Sequence, residues 1–398
     1  MKIQAAVLHA MGASAPYADS RPLQVTEIQL DPPQAGEVLV KIKVAGLCHS
    51  DLSVINGDRP RALPLVLGHE SSAEVVQAGP GVTDLRAGDH VVMVFVPSCG
   101  CCAPCMRGRP ALCEPGALAN AQGTLLNGER RAHVGDAYLN HHIGVSCFAE
   151  YAVVSRRSCV KVEADITHRE AALFGCAVLT GAGAVINRAR MRAGDTAAVV
   201  GLGGVGLSAL LACVASGARR IVAVDLSDEK LALARQLGAT HTVNPRTLQS
   251  DADLIEAAGG RVDFGFDMAG AVPAFETAYR LTDRGGSTIT SGLPNPRHAF
   301  SLPLSQMVGE EREILGSYLG SGQPAIDIGR YIQMYTQGTL PVDRLMGETF
   351  TLDRINEGFD RLASGQGLRD AIVFDWAAAP RPASNQVSDS RRVSDTDA

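Results

Sequence analysis

Five of the ten cysteines in this 398-residue chain crowd one short stretch: Cys99, Cys101, Cys102, Cys105 and Cys113. Cys99, Cys102, Cys105 and Cys113 have the spacing C-x2-C-x2-C-x7-C. Four soft thiolates so near in sequence can close a tetrahedron around Zn²⁺ and leave no position for water, so the expected site is structural. The binding energy of such a site holds its own loop folded. Cys101 is then a spare thiol, although Cys101 in place of Cys102 satisfies the same reading, and unligated reduced thiols are the alternative to a metal. A second set is dispersed over 46-GLCHSD-51, 68-GHE-70 and 175-GCAVLTG-181. Taken singly, a Cys or His is more often packing than ligand. Taken together, Cys48, His69 and Cys176 offer two thiolates and an imidazole with an open fourth position, which is the donor set of a catalytic zinc.

A third group is the glycine turn 201-GLGGVG-206, a G-x-G-x-x-G match. It follows an apolar run, 196-TAAVV-200, opens a helical pattern and precedes 220-RIVAVD-225. That strand–turn–helix–strand context is what a dinucleotide site requires. Gly201 permits the tight turn, Gly203 lets the backbone approach a pyrophosphate, and Gly206 allows close helix–strand packing. Gly204 and Val205 complete the cofactor-binding turn, with the pyrophosphate on the helix N-terminus. Asp225 can accept hydrogen bonds from an adenosine ribose and repels a 2′-phosphate, so NAD is expected rather than NADP. A plain glycine turn is the alternative.

The elements that must position these groups differ along the chain. Val/Ile-rich pieces (38-VLVKIKVAG-46, 73-AEVVQAG-79, 90-HVVMVFV-96, 150-EYAVVS-155) separated by turn signals give the first part a β-rich character. From about residue 170 strands alternate with helices: 196–200, the helix 205–216, 220–225, the helix 227–238, then 241–244, 262–268 and 285–292. Such alternation predicts βαβ units and a doubly wound parallel sheet. Helices at 325–338 and 353–364 and a closing strand, 371–376, follow. The tail from Ala377 has few apolar residues and is expected to be disordered. Segment 114–140 reads as a long loop with little evident structure.

Composition bounds the rest. The length suits about two domains. With 46% hydrophobic and 20% charged residues the chain is an ordinary globular one. A net charge of −6 offers no basic field for nucleic acid or an anionic membrane. No apolar run approaches a membrane span, and the N-terminal residues lack a secretion signal; a cytoplasmic protein is expected.

These elements together make the chain resemble the zinc-dependent medium-chain alcohol dehydrogenases. The resemblance runs from about Ala5 to Phe374. It is carried by 46-GLCHSD-51, 68-GHE-70, the cysteine quartet, Cys176, 201-GLGGVG-206 with Asp225, and 366-QGLRDAIVF-374. It implies an α/β fold: a GroES-like β-rich catalytic domain over 1–177, carrying the structural zinc lobe at about 97–115; a Rossmann coenzyme domain with a doubly wound parallel sheet over 178–319; and a return to the catalytic domain over 320–376. It implies two zinc ions per subunit, one catalytic and one structural, with NAD as the coenzyme. A zinc-bound alkoxide would pass its hydride to NAD, or an aldehyde would be reduced, primary alcohols being favoured. By the same resemblance Asp51 hydrogen-bonds the His69 ring, Glu70 sits beside the zinc, and Ser50 takes the alcohol proton. His49 and Arg369 reach the coenzyme pyrophosphate, Lys230 the adenosine ribose, and Thr180 the nicotinamide. Phe95 lines the pocket.

Two departures stand out. Many relatives have a His where this chain has Ser53, at the exit of the proton relay. His142 is the candidate base in its place, a surface-loop histidine being the alternative. Arg59 and Arg61 lie where relatives border the pocket entrance, suited to an acidic or phosphate-bearing substrate, with plain solvated arginines as the default. The resemblance matches segment 114–140 to the long insertion of the dimeric enzymes and so implies a homodimer rather than a tetramer. Two other functions remain open: a thiol-adduct (S-hydroxymethyl) formaldehyde dehydrogenase, and a non-catalytic NAD-binding redox sensor.

Overall fold

The structure, a computed structural model, describes residues 1–376. The expected disordered tail from Ala377 lies outside the described residues.

Two sheets built from the early and late chain carry the β-rich half. The central strand of the larger one, Glu37–Gly46, pairs antiparallel with Ser71–Ala78 on one side. Along its other edge it pairs with Tyr151–Ser155 and with the returning strand Arg369–Val373, where Ala371 opposes Gly46. The last strand of the described chain is thereby stitched beside Leu47 and Cys48, although more than three hundred residues of sequence separate them. Alternate positions of Glu37–Gly46 bury Val38, Val40 and Ile42, as the period-2 pattern requires. Phe148 and Phe359 meet edge to face at 5.9 Å, both fully buried, and hold the late helix Ile355–Ala363 on the early strands.

Between these pieces lies a six-stranded sheet of wholly parallel strands. Its order is His241–Val243, Arg220–Val224, Thr196–Val200, Val262–Asp267, Thr282–Thr290 and Glu313–Gly316. The order reverses at Thr196–Val200, the strand that delivers the glycine turn. Ligands of doubly wound sheets bind at such a switch point, outside the carboxyl ends of the strands. The predicted helices at 205–216 and 227–238 appear as Gly204–Ala215 and Asp228–Gln236.

The structure differs from the sequence reading in several places. Segment 114–140 is not structureless: it holds a helix, Glu114–Gln122, and short strands at Ala132–Val134, Ala137–Tyr138 and Asn140–His141. The helix has no apolar period, so the pattern does not announce it; the Cys113 sulfur caps its start and Gly123, at φ 66°, ends it. The strand at 90–96 stops at Met93, freeing Phe95 from the sheet. The helices Ala177–Gly183 and Val272–Leu281 are additions to the elements expected; the first reads AVLTGAG, almost wholly buried and too glycine-rich to show helical periodicity. Among the described residues no single helix is long and apolar enough to cross a membrane.

Candidate active site and metal centres

Cys48 stands at the N-cap of the helix His49–Ile55, directly after the central strand. His69 follows Gly68, whose φ of 92° and whose close approach to the Phe148 backbone leave no room for a side chain. Cys176 precedes the helix Ala177–Gly183. These three segments bring two sulfurs and an imidazole nitrogen within 4.8 Å of one another. The Cys176 sulfur is 3.5 Å from His69 Nε2. All three residues are 5% exposed or less.

The surroundings fix the cage. Asp51, one turn into the first helix, is fully buried. Its Oδ1 accepts from the Gly68 N–H and pairs with His69 Nδ1, both at 3.1 Å. This directs Nε2 toward the cysteines, the usual restraint on a metal-binding imidazole. Burial alone would push the His69 pKa down, but Asp51 and Cys48 carry it up to about 10. The hydrogen bond from the Cys176 thiol holds Cys48 well below the ordinary thiol range, with Arg369 and His69 adding to the effect against burial. A buried, electron-rich pocket of this kind, with thiolate sulfur and neutral imidazole as donors, fits Zn²⁺.

Glu70 and Arg369 form a second buried layer. Arg369 Nε donates to Glu70 Oε1 at 2.9 Å, and its Nη2 contacts the other carboxylate oxygen. The pair spans the sheet between the β-rich half and the returning strand. Arg369 also reaches the glycine turn, for a side-chain atom at Gly204 would lie 3.0 Å from its Cδ. The expected roles of Glu70 beside the cage and Arg369 beside the coenzyme thus meet in one ion pair.

The turn itself has the expected shape. Gly201 sits at φ 89°, and a Cβ on Gly206 would fall 1.8 Å from the Gly201 carbonyl oxygen. A Cβ on Gly203 would meet nothing within 4 Å, so the backbone there faces an open cradle. The Asp225 carboxylate accepts from the Leu202 N–H at 2.7 Å and the Ser227 N–H at 2.9 Å, so it braces the turn it was expected to serve. The surroundings of His49 lower its pKa, burial first and then Arg369 and Lys230, while Cys48 opposes; the three basic side chains therefore share a neighbourhood. Val205 follows Gly204 inside the helix Gly204–Ala215. Ser50 and Thr180 are half-buried.

Ser53 is half-buried, and its hydroxyl donates back to the His49 carbonyl at 2.8 Å. His142 is corrected in position. It is 2% exposed, neither a surface-loop residue nor open to water as a relay exit must be. Its Nε2 lies 3.2 Å from Asp51 Oδ1, within ion-pair distance though outside hydrogen-bond geometry, and its ring meets His69 edge-on at 5.7 Å. Burial lowers its pKa against the pull of Asp51. Phe95 packs edge to face on His69 at 5.2 Å, as expected of a pocket wall. Tyr318 then packs on Phe95 at 6.1 Å. Sequence reasoning missed Tyr318 because 317-SYL-319 carries no motif.

The cysteine quartet closes independently. Cys99, Cys102, Cys105 and Cys113 bring their sulfurs within 4.8 Å. Cys101 is exposed, its sulfur 3.7 Å from that of Cys99, so Cys102 rather than Cys101 completes the tetrad. Backbone N–H groups of Cys101, Cys102 and Gly116 point at the sulfurs of Cys99 and Cys113. The Cys101 N–H is the largest of the contacts that bring Cys99 down to about 6.

Comparison with known proteins agrees with this geometry. Residues 34–164 match the family model described as alcohol dehydrogenase GroES-like domain, and residues 204–336 match zinc-binding dehydrogenase. The chain is 35% identical over 366 residues to an S-(hydroxymethyl)glutathione dehydrogenase of Paracoccus denitrificans, covering 89% of this chain and 97% of that one. A benzyl alcohol dehydrogenase from Acinetobacter calcoaceticus is 33% identical with a TM-score of 0.86, over 94% of this chain and 100% of that one. An alcohol dehydrogenase zinc-binding domain protein from Burkholderia ambifaria is 32% identical with a TM-score of 0.87, over 94% and 99%.

Proposed function

As the chain belongs to the zinc-dependent medium-chain alcohol dehydrogenases, we propose that it moves a hydride between NAD and a primary alcohol or its aldehyde, in the cleft where cage and glycine turn meet. The observation that carries this reading is that Cys48, His69 and Cys176 gather into one donor set while Arg369 both pairs with Glu70, the neighbour of His69, and reaches the glycine turn.

We assign Cys48, His69 and Cys176 as the ligands of a catalytic zinc and the four clustered cysteines as those of a structural one, two ions per subunit. Zn²⁺ held by the first set supplies Lewis acidity that makes an alcohol proton labile or polarises a carbonyl. NAD supplies the hydride acceptor. The chain does the rest. Asp51 holds His69 in the tautomer that presents Nε2 to the metal. Ser50 accepts the alcohol proton. Ser53 is bonded back to its own helix and His142 is buried beside Asp51, so neither is assigned the onward transfer of the proton from Ser50. His142 braces Asp51 instead. Phe95 walls the pocket and excludes water from the reacting atoms. Thr180 packs beside the nicotinamide. Arg369 neutralises the pyrophosphate and His49 reaches it, Gly201 to Gly206 cradle it, and Asp225 and Lys230 receive the adenosine ribose.

The domain division at about 177 and 319 follows the sheets, since every strand of the parallel sheet lies between Thr196 and Gly316. We also propose a cytoplasmic homodimer. Strand Glu313–Gly316 is an open edge of that sheet, and Leu304 and Val308 beside it are 71% and 76% exposed, a surface suited to a second copy.

The test is NADH formation by zinc-replete protein across aliphatic and benzylic alcohols, with NADP, glutathione and chelator in parallel. Chelator-sensitive, NAD-specific turnover without thiol establishes the reading. Strict dependence on glutathione moves the enzyme to the thiol-adduct branch, and silence with every alcohol overturns it.

A further inference from the structure

We propose that the preferred alcohol or aldehyde carries a carboxylate at the end remote from its reacting carbon, and that Arg61 receives it. This rests on the dehydrogenase reading above and adds the substrate class to it. A small cavity of about 140 Å³ adjoins the pocket wall and is lined by Arg61, Val96, Asn120, Ile143 and Tyr318, among others. Val96 follows Phe95 and Ile143 follows His142, so two of its walls are chain neighbours of residues packed on His69. Tyr318 joins the two spaces, for its ring meets Phe95 on one side.

The polar complement of this cavity is unusual. Arg61 Nε is buried and has no hydrogen-bond partner. No carboxylate among the described residues lies within ion-pair distance of Arg61 or Arg59. Arg61 as a whole is half-buried, but a buried N–H left without an acceptor is itself costly, and no acid stands beside this one. Burial lowers the Arg61 pKa and the neighbouring Arg59 lowers it further. Asn120, 8% exposed, donates its amide to the Phe95 carbonyl at 3.2 Å and leaves its own Oδ1 without a donor. The remaining walls are apolar. An unanswered planar cation in an otherwise greasy cavity is complementary to a carboxylate, which a guanidinium fork grips with two parallel hydrogen bonds. Tyr318 lines the same cavity, and the unpaired Asn120 Oδ1 can accept from an O–H or N–H of the ligand. Arg59, at the rim, adds attraction for the incoming anion.

The experiment compares matched substrates on the NAD-dependent holoenzyme: 4-(hydroxymethyl)benzoate against benzyl alcohol, and 6-hydroxyhexanoate against 1-hexanol, with S-(hydroxymethyl)glutathione as a separate carboxylate-bearing arm. The wild type should favour each carboxylate in kcat/KM by about tenfold or more. In Arg61→Met the ratio of charged to neutral substrate should fall about 10–100-fold, as expected on losing a charge-assisted contact. Arg61→Lys should restore part of it. Calorimetric binding of 4-methylbenzoate against 4-methylbenzamide, which needs no turnover, should show the same dependence on Arg61. If only the glutathione adduct shows an Arg61-dependent preference, the carboxylate belongs to that adduct. Equal or better use of the neutral alcohols, or a ratio unmoved by Arg61→Met, overturns this inference while leaving the dehydrogenase intact. Absence of turnover on every substrate overturns the underlying reading as well.

Discussion

Cys48, His69 and Cys176 come from three distant stretches of chain and are nearly or wholly buried, whereas three of the four clustered cysteines are half-exposed on one excursion from the fold. The first cage is positioned by things that would exist without any metal: a central strand, the strained glycine before His69, and the Asp51 carboxylate beneath the ring. The second has little apolar support, and backbone N–H groups aimed at sulfur do most of the local ordering. In one site the protein organises the metal. In the other the metal would organise the protein. Loss of a ligand should therefore be read in activity at the first site and in stability at the second.

The sharpest break of this contrast is Cys176→Ser. Turnover, followed by NADH absorbance, should fall on the order of 10³-fold or more, with one zinc equivalent lost and the melting midpoint almost unchanged. A large drop in midpoint would mean that the buried cage, too, depends on its ion for folding. Next in size, Asp51→Asn keeps the shape but weakens the hold on the His69 tautomer. Zinc affinity or activity should drop roughly 10–100-fold, and a metal titration that leaves affinity untouched would mean that Asp51 does not orient the ring. Cys105→Ser should do the reverse of the first variant: the other zinc equivalent goes, the midpoint falls by roughly 2–5 °C, and the active-site cage stays loaded.

The smallest effect lies outside both sites. Ser72 Oγ lies within 2.7 Å of ring nitrogens of both His90 and His168, and the two rings are 3.9 Å apart. Burial first, then His90 and Lys43, bring the His168 pKa down to about 4. The unfolded chain therefore binds a proton here below about pH 6.5 that the folded chain refuses. Stability should fall as pH drops from about 6.5 toward 4, and His168→Gln should flatten that limb by on the order of 1 kcal/mol after allowance for partial solvent screening. Superimposable pH–melting profiles for the two proteins would dispose of the idea.

The cysteine cluster is legible from spacing, save for the choice between Cys101 and Cys102, since its ligands share a loop, and the glycine turn declares itself through flanking strand and helix. The buried cage needs the resemblance, because Cys48, His69 and Cys176 are separated by distances that no local pattern spans. The Glu70–Arg369 pair is legible only as two separate roles, for nothing in sequence reveals that residues 299 apart share a hydrogen bond. His142 is expected at a relay exit and is found behind Asp51, since burial depends on which loop covers which ring. Tyr318 and Asn120 leave no signal at all. Their importance comes from a cavity, and a cavity is a property of packing across three segments.

The helix that begins after Cys176 is pressed against the coenzyme helix and the returning chain with no slack. A methyl on Gly181 would land 2.2 Å from the Val205 carbonyl oxygen, and one on Gly183 would land 2.5 Å from the Gly320 backbone. In mechanical terms the metal ligand and the floor of the coenzyme cradle form one rigid jaw, gauged by two absent side chains. The span a hydride must cross is then set by how thin the backbone is at those two points. An alanine at either would act as a shim, moving substrate and nicotinamide apart without touching any residue of the chemistry.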